Sequence, residues 1–397
     1  MNITLPKGEL EARIGRFQES MQAEGIDHAI LRHGPDLFYF TGTVQDAHLL
    51  IPAQGTPTLF VWRSLERSLK ECGTGEVMGI RNFKDLARSV EKVLSSPPRK
   101  VWTTFDTLPY ATVTFYKEAL FKDAELMDCT HVIRLIRSVK SPWELEQIKT
   151  SCEIIDSTLR EVPGIIYPGM DEMELVGEIE GRLRRNGHQG LLPMRSSLMG
   201  CLPMTQILTG EHGGIPAFIL TPAGGPGLSP AMGMGPGYRK IAPHEPISID
   251  IGGNFGGYLG DETRLFSMGP LKRLLMDAYK VCLEIMECLE EELKPGRRAG
   301  ELFHKALAIV KSGPFLENFM GFKEKVQFIG HGLGLEIDEY PFLSMGNEMI
   351  LKEGMVVAME PKFVFSGLGL VGLEDTFVIE KDGANRLTKC PREIFIL

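Results

Sequence analysis

SIDIGGNFGGYLGDETRLF, residues 248–266, decides how this chain folds. Ile247, Ile249 and Ile251 alternate with Ser248 and Asp250, the period-two pattern of a half-buried strand, so Asp250 points away from the isoleucine face. After the turn-prone GGNFGG, a second strand pattern runs from about Tyr258 to Phe266 and carries Asp261. A hairpin joining the two brings both carboxylates onto neighbouring strands.

Three further candidates lie downstream. His331 sits in FIGHGLGLE, where glycines let backbone approach a ligand closely. Glu360 ends the apolar run MVVAME and is followed by Pro361; Glu374 lies within LVGLEDTFVIE, opposite in alternation to Leu373, Phe377 and Ile379. Taken singly, each acid reads as a turn cap or solvated strand end and the histidine as a satisfied polar residue. Together they are four acids and one imidazole, each beside its own apolar strand or glycine-rich turn. Burying such charge is costly without a cation to meet it. Carboxylates about 4 Å apart repel by roughly 4 kcal/mol per pair at an effective dielectric near 20, and two divalent ions cancel four such charges. Mostly oxygen donors with one nitrogen suit Mn²⁺ and admit Fe²⁺, Co²⁺ or Zn²⁺. A water bridging two such ions is acidified and becomes a hydroxide nucleophile.

The segments ISIDIG, GYLGDETR, GHGLGLE, GMVVAMEP and GLEDTFVI resemble the metal-binding segments of the pita-bread metallopeptidases, the family of aminopeptidase P, prolidase and methionine aminopeptidase; the Asp250 to Asp261 interval, 261 − 250 = 11 residues, matches the family's paired aspartates. That resemblance implies a metal set of Asp250, Asp261, His331, Glu360 and Glu374. Asp250 would chelate one ion, Asp261 and Glu374 would bridge both, and His331 and Glu360 would complete the other. Glu360 is also the implied general base, and Thr263 resembles the family's hydroxyl that supports the metal shell, although a β-branched strand residue is its bland reading. The implied activity is cleavage of Xaa-Pro or other short peptides by a metal-bridging hydroxide.

The chain departs from the family pattern at three places. The second histidine expected seven residues after His331 is Asp338, the one expected about seventeen residues before Asp250 falls near Met232 and Gly233, and an arginine expected two residues before Glu374 is Gly372. Asp338 is therefore a catalytic-site candidate that receives a substrate amine or cation, with a hydrogen-bonded surface acid as its alternative. His212 and His244 are candidates to replace the histidines, His244 also reading as part of the turn before its strand. The departures keep two other functions open, metal-dependent hydrolysis or elimination on a small non-peptide substrate, and a noncatalytic binding descendant of the fold.

The 397 residues, 43% hydrophobic and 24% charged, suit a soluble globular protein of two or three domains. A net charge of −9 disfavours nucleic-acid and anionic-membrane partners. No signal-like or membrane-spanning run is present, which leaves a cytoplasmic location as the expectation. The seven scattered cysteines read as reduced thiols. Resemblance adds homodimeric assembly.

The expected fold class is α/β (α+β) with two domains: a creatinase-like mixed α/β domain over 1–138, from the likeness of EGIDHAILRHGPDLFYFTGT, and a pita-bread catalytic domain over 139–397. In the first, a helix over Glu9 to Glu24 precedes short strands at HAILRH, DLFYFTG, HLLIPA, TLFVW and VWTTF, with a helix at FKDLARSVEKVLSS. At the junction Ser141, Pro142 and Glu144 form a capping box that opens a long helix, and a second helix runs from about Asp171 to Asn186. Pro168, Gly169, Glu174 and Leu175 recur as Pro295, Gly296, Glu301 and Leu302, the trace of a pseudo-two-fold repeat. Residues 190–238, rich in Gly, Pro and Met, lack a phosphate-loop signature. They read as apolar loops beside the metal site, with Met194, Met199, Met204, Met232 and Met234 as core filler or pocket lining.

Overall fold

A computed structural model describes residues 5–195 and 200–397, so the expectation for Met199 lies outside the described residues. The chain forms two compact units, Met1–Arg137 and Ser138–Leu397.

In the first unit the order is α1 (Lys7–Ala23), β1 (His28–Leu31), α2 (Gly34–Thr41), β2 (Ala47–Pro52), β3 (Thr58–Val61), α3 (Leu65–Glu71), β4 (Glu76–Gly79), α4 (Phe83–Val93), β5 (Lys100–Thr103), α5 (Tyr110–Phe115), β6 (Glu125–Asp128) and α6 (Thr130–Ser138). The strands make one mixed sheet in the order β4-β3-β2-β1-β5-β6. DLFYFTG, expected as a strand, is instead most of helix α2. Pro35 sits in its first turn, Gly42 closes it in the left-handed conformation with its N–H on Phe38 O, and the Thr41 hydroxyl donates to Leu37 O. Leu37, Tyr39 and Phe40 are buried and Phe38 is half-buried, and so short and mostly buried an apolar run carries no clear period to separate helix from strand.

His48 on β2 is fully buried, with Nδ1 2.6 Å from Tyr116 Oη and Nε2 3.4 Å from Arg32 Nη1. A guanidinium only donates, so Nε2 accepts and Nδ1–H faces the tyrosine. Burial first, then the Arg32 charge, pushes its pKa from 6.5 down to about 3.

In the second unit the order is α7 (Pro142–Glu161), α8 (Glu172–Arg185), β7 (Leu192–Pro193), β8 (Cys201–Leu202), β9 (Thr205–Thr209), β10 (Ile247–Phe255), β11 (Tyr258–Ser267), α9 (Arg273–Glu292), α10 (Ala299–Lys311), β12 (Phe328–Gly332), β13 (Glu339–Ser344), β14 (Val356–Met359), β15 (Lys362–Phe365), β16 (Gly369–Gly372), β17 (Asp375–Glu380), β18 (Gly383–Arg386) and β19 (Phe395–Ile396). The expected capping box of Ser141 with Glu144 forms on α7, and a second, of Asp171 with Glu174, forms on α8.

Two sheets dominate, β19-β11-β10-β9 and β13-β12-β14-β17-β18. Helices α7 and α8 share an apolar core with the first, while α9 and α10 share one with the second. The sequence echo has a structural counterpart. Gly169 and Gly296 take φ of +89° and +87°. The first helical N–H of α8, Glu172 N, bonds Arg239 O, and that of α10, Ala299 N, bonds Met349 O.

Because a neutral, depressed His48 regains its ordinary pKa on unfolding, its contribution to stability is present above pH 6.5 and is lost as pH falls toward about 3. Urea midpoints of wild type should therefore drop more steeply over that interval than those of His48→Gln; parallel profiles would remove His48 as the cause.

Candidate metal centre

The β10–β11 hairpin pairs Asp250 with Thr263 and Gly252 with Asp261, so both aspartates and Thr263 share one face. GGNFGG is less of a turn than the sequence suggests. Strand β10 runs on through Phe255, and Gly256 and Gly257 alone make the reversal, with φ of +62° and +85°. Gly253 and, across from it, Gly260 serve packing on the opposite face, where a Cβ at Gly253 would lie 2.7 Å from Ser151 O and one at Gly260 would lie 2.8 Å from Cys152 Sγ. Helix α7 can lie this close only because those side chains are missing.

His331 comes from β12, Glu360 follows β14 directly, and Glu374 precedes β17 and bridges Thr263. Strands β12, β14 and β17 are neighbours, and the Thr263–Glu374 bridge joins them to the hairpin. All five expected residues thus converge. His331 Nε2 stands 3.8 Å from Asp261 Oδ2, 3.7 Å from Glu360 Oε1 and 3.8 Å from Glu374 Oε1. These gaps exceed hydrogen-bond range. Nδ1 lies 3.2 Å from Gly332 O, so it carries the hydrogen and Nε2 turns toward the carboxylates. Glu374 Oε1 is buried with no hydrogen-bond partner.

Bonds of roughly 2.0–2.2 Å to a tetrahedral ion put neighbouring donors about 3.3–3.6 Å apart, close to the separations observed. One nitrogen and three carboxylate oxygens, one of them an orphaned buried acceptor, fit a single divalent cation on this side of the cluster.

The other side already has a cation. Lys362, which opens β15, places Nζ 3.2 Å from Asp250 Oδ2, 2.8 Å from Glu360 Oε2 and 3.1 Å from Glu374 Oε2. Each glutamate is therefore divided, Oε1 toward His331 and Oε2 toward Lys362. Burial pushes the Asp250, Asp261 and Glu374 carboxyls above the ordinary carboxylate range; Lys362 opposes this at Asp250 and Glu374, whereas Glu374 and Asp250 drive Asp261 higher still. Burial disfavours the Lys362 ammonium too, but Asp250, Glu360 and Glu374 outweigh it and hold its pKa well above the ordinary value. The sequence reading passed over Lys362. Its signal is present: Lys362 follows Glu360 by two residues, which in extended chain is the same face, although the intervening Pro361 masks the strand pattern.

Beneath the site Arg264 is fully buried and donates to the carbonyls of Thr263 and Glu374 at 2.8 and 2.7 Å, while Nη2 meets both Asp375 Oδ1 and Glu262 Oε1 at 2.6 Å. Arg264 therefore fixes the two backbone segments that carry Thr263 and Glu374. Thr263 Oγ1 donates to Glu374 Oε2 at 2.9 Å, and Thr376 Oγ1 accepts from Asp261 N and donates to Asp261 O.

Asp338 is half-buried just before β13 and accepts from Arg195 N at 3.3 Å. His212 Nδ1 is held 2.8 Å from buried Glu172, and His244 lies in the turn before β10 with Nδ1 3.0 Å from Pro270 O. Neither bonds any of the five clustered residues. Met204 and Met194 pack in the α7–α8 core, whereas Thr221 and Ala223 of the glycine-rich segment line a small cleft with Gln206, Ser248, Asp250 and Lys362. Replacing Arg264 with Leu leaves buried Glu262 without its guanidinium and Asp375 with Arg392 as its close arginine partner, so a loss of about 3–5 kcal/mol is expected in urea denaturation. A loss under about 1 kcal/mol, the size of an exposed ion pair, would contradict this bracing role.

Residues 13–139 match the Creatinase/Prolidase N-terminal domain. The Xaa-Pro dipeptidase of Pyrococcus furiosus is 27% identical over 97% of this chain and 100% of its own length, and a putative dipeptidase of Bacillus subtilis is 25% identical over 97% and 99%. Among solved structures, the prolidase of Pyrococcus horikoshii superposes with a TM-score of 0.82 at 25% identity, covering 96% of this chain and 99% of that one. Its fold is thus that of the prolidases and aminopeptidase P, a pita-bread unit with a creatinase-type N-terminal unit. The model of metallopeptidase family M24 matches residues 146–381, more than half of the length, and the chain belongs to that family.

Proposed function

We propose that this chain is a divalent-metal-dependent peptidase that cleaves short peptides at the bond after the first residue, Xaa-Pro dipeptides being the leading substrate class. The observation that carries the reading is the convergence of His331 Nε2 with Asp261 Oδ2, Glu360 Oε1 and Glu374 Oε1 at 3.7–3.8 Å. These four residues would hold the ion. When bound, it supplies Lewis acidity, lowering the pKa of a water and polarising the scissile carbonyl. Mn²⁺ is the ion best suited to one nitrogen among oxygens; the two-ion centre expected from the sequence also needs the carboxylates that Lys362 meets.

The side chains supply the rest. Glu360, with Oε2 bonded by Lys362 and Oε1 turned toward His331, would take a proton from the attacking water and return it to the departing amine. Thr263 restrains Glu374 through its hydroxyl. Asp338, steadied by Arg195 N–H, is the candidate receiver of a substrate amine.

A second reading, hydrolysis or elimination on a small non-peptide substrate, is favoured by one observation: His212 and His244, the candidates for the missing carbonyl-binding histidines, are engaged by Glu172 and Pro270. A panel of Xaa-Pro and other short peptides, run with Mn²⁺, Co²⁺ and Zn²⁺, separates the two. We expect Xaa-Pro cleavage that falls about 10²–10⁴-fold in Glu360→Gln; no cleavage with any ion would dismiss the peptidase reading. Chelation should lower the melting temperature, since an ion at 100 times its Kd adds about 2.7 kcal/mol to the folded state. A chelator-insensitive melt would count against a resident ion.

A further inference from the structure

Lys362 is buried, its side chain 4% exposed, and its three N–H donors are matched by three carboxylates, Asp250 Oδ2, Glu360 Oε2 and Glu374 Oε2, at 3.2, 2.8 and 3.1 Å. Two of these acids, Asp250 and Glu374, belong together in one half of the two-ion set that the sequence implies. A second divalent ion there would have to share their oxygens with an ammonium already bonded to them.

An independent feature shows that the lysine is accommodated by design of the fold. Lys362 pairs across β15 and β16 with Gly372, and a Cβ at Gly372 would stand 2.5 Å from Lys362 Cγ and 2.9 Å from its Cα. Glycine at 372 makes room for the lysine stem. Its absent side chain, where an arginine was expected, and the lysine across from it are two parts of one arrangement. A second divalent ion among these carboxylates would also stand against the Lys362 ammonium, like charge against like charge.

We propose that the Lys362 ammonium is a built-in replacement for one of the two metal ions, so that this chain binds a single divalent cation, between His331, Asp261, Glu360 and Glu374. This rests on the metal-site reading above. Lys362 is a positioning residue for Glu360 and Glu374 and at the same time occupies the second cation position.

Metal analysis and Mn²⁺ electron paramagnetic resonance on the full-length protein test it. Wild type saturated with Mn²⁺ should hold one ion per chain and give the spectrum of an isolated ion. Lys362→Ala and Lys362→Met should each hold two, with the broadened signal of an exchange-coupled pair. Two coupled ions in wild type would overturn the inference while leaving the metallopeptidase reading intact. A single ion in either variant that keeps the wild-type circular dichroism would also overturn it, because Lys362 would then not be what excludes the second. The wild-type measurement stands even if both variants fail to fold, and no ion in wild type would sink both readings.

Discussion

Electrostatic repulsion among four carboxylates in one small volume is the constraint on which the second unit rests. Asp250 and Asp261 on strands β10 and β11, Glu360 just after β14 and Glu374 just before β17 meet within reach of one histidine and one lysine. Each like-charged pair about 4 Å apart costs roughly 4 kcal/mol at an effective dielectric near 20, a large sum beside the 5–15 kcal/mol by which a typical domain is stable. The ammonium relieves one side of the cluster; the opposite side turns a nitrogen and an orphaned carboxylate oxygen toward each other and is suited to a cation.

The fold holds this arrangement by backbone rather than by side-chain choice alone. Arg264 ties the Thr263 and Glu374 carbonyls together beneath the site, Thr376 clamps Asp261 by both its N–H and its C=O, and glycines at 253 and 260 let α7 press on the back of the hairpin. Buried acids are thus kept at fixed positions instead of turning outward to water, and a site so braced is preorganised for charge that develops during reaction.

Much of this was legible because strand alternation and spacing are local properties. The alternating isoleucines around Asp250 gave the hairpin, the Ser141 cap gave one helix start, and the repeated Pro-Gly pairs gave the two halves. What escaped was non-local or without period. DLFYFTG is a short, mostly buried run, so nothing in its pattern separates helix α2 from a strand. The glycines of GGNFGG were read as turn formers because only the packed structure shows α7 lying on Gly253. Lys362 is hidden because a lysine after a proline reads as ordinary surface until the register with Gly372 places its stem inside, and Arg264 because Glu374 and Asp375, which it meets, lie more than a hundred residues away.

The most direct test of the central claim is anomalous diffraction at the manganese edge from crystals grown with Mn²⁺. The account predicts one peak, bounded by His331 Nε2, Asp261, Glu360 and Glu374, with Lys362 Nζ still bonded to Asp250 and both glutamates. Two peaks with Lys362 displaced, or no peak at all within the carboxylate cluster, would contradict it.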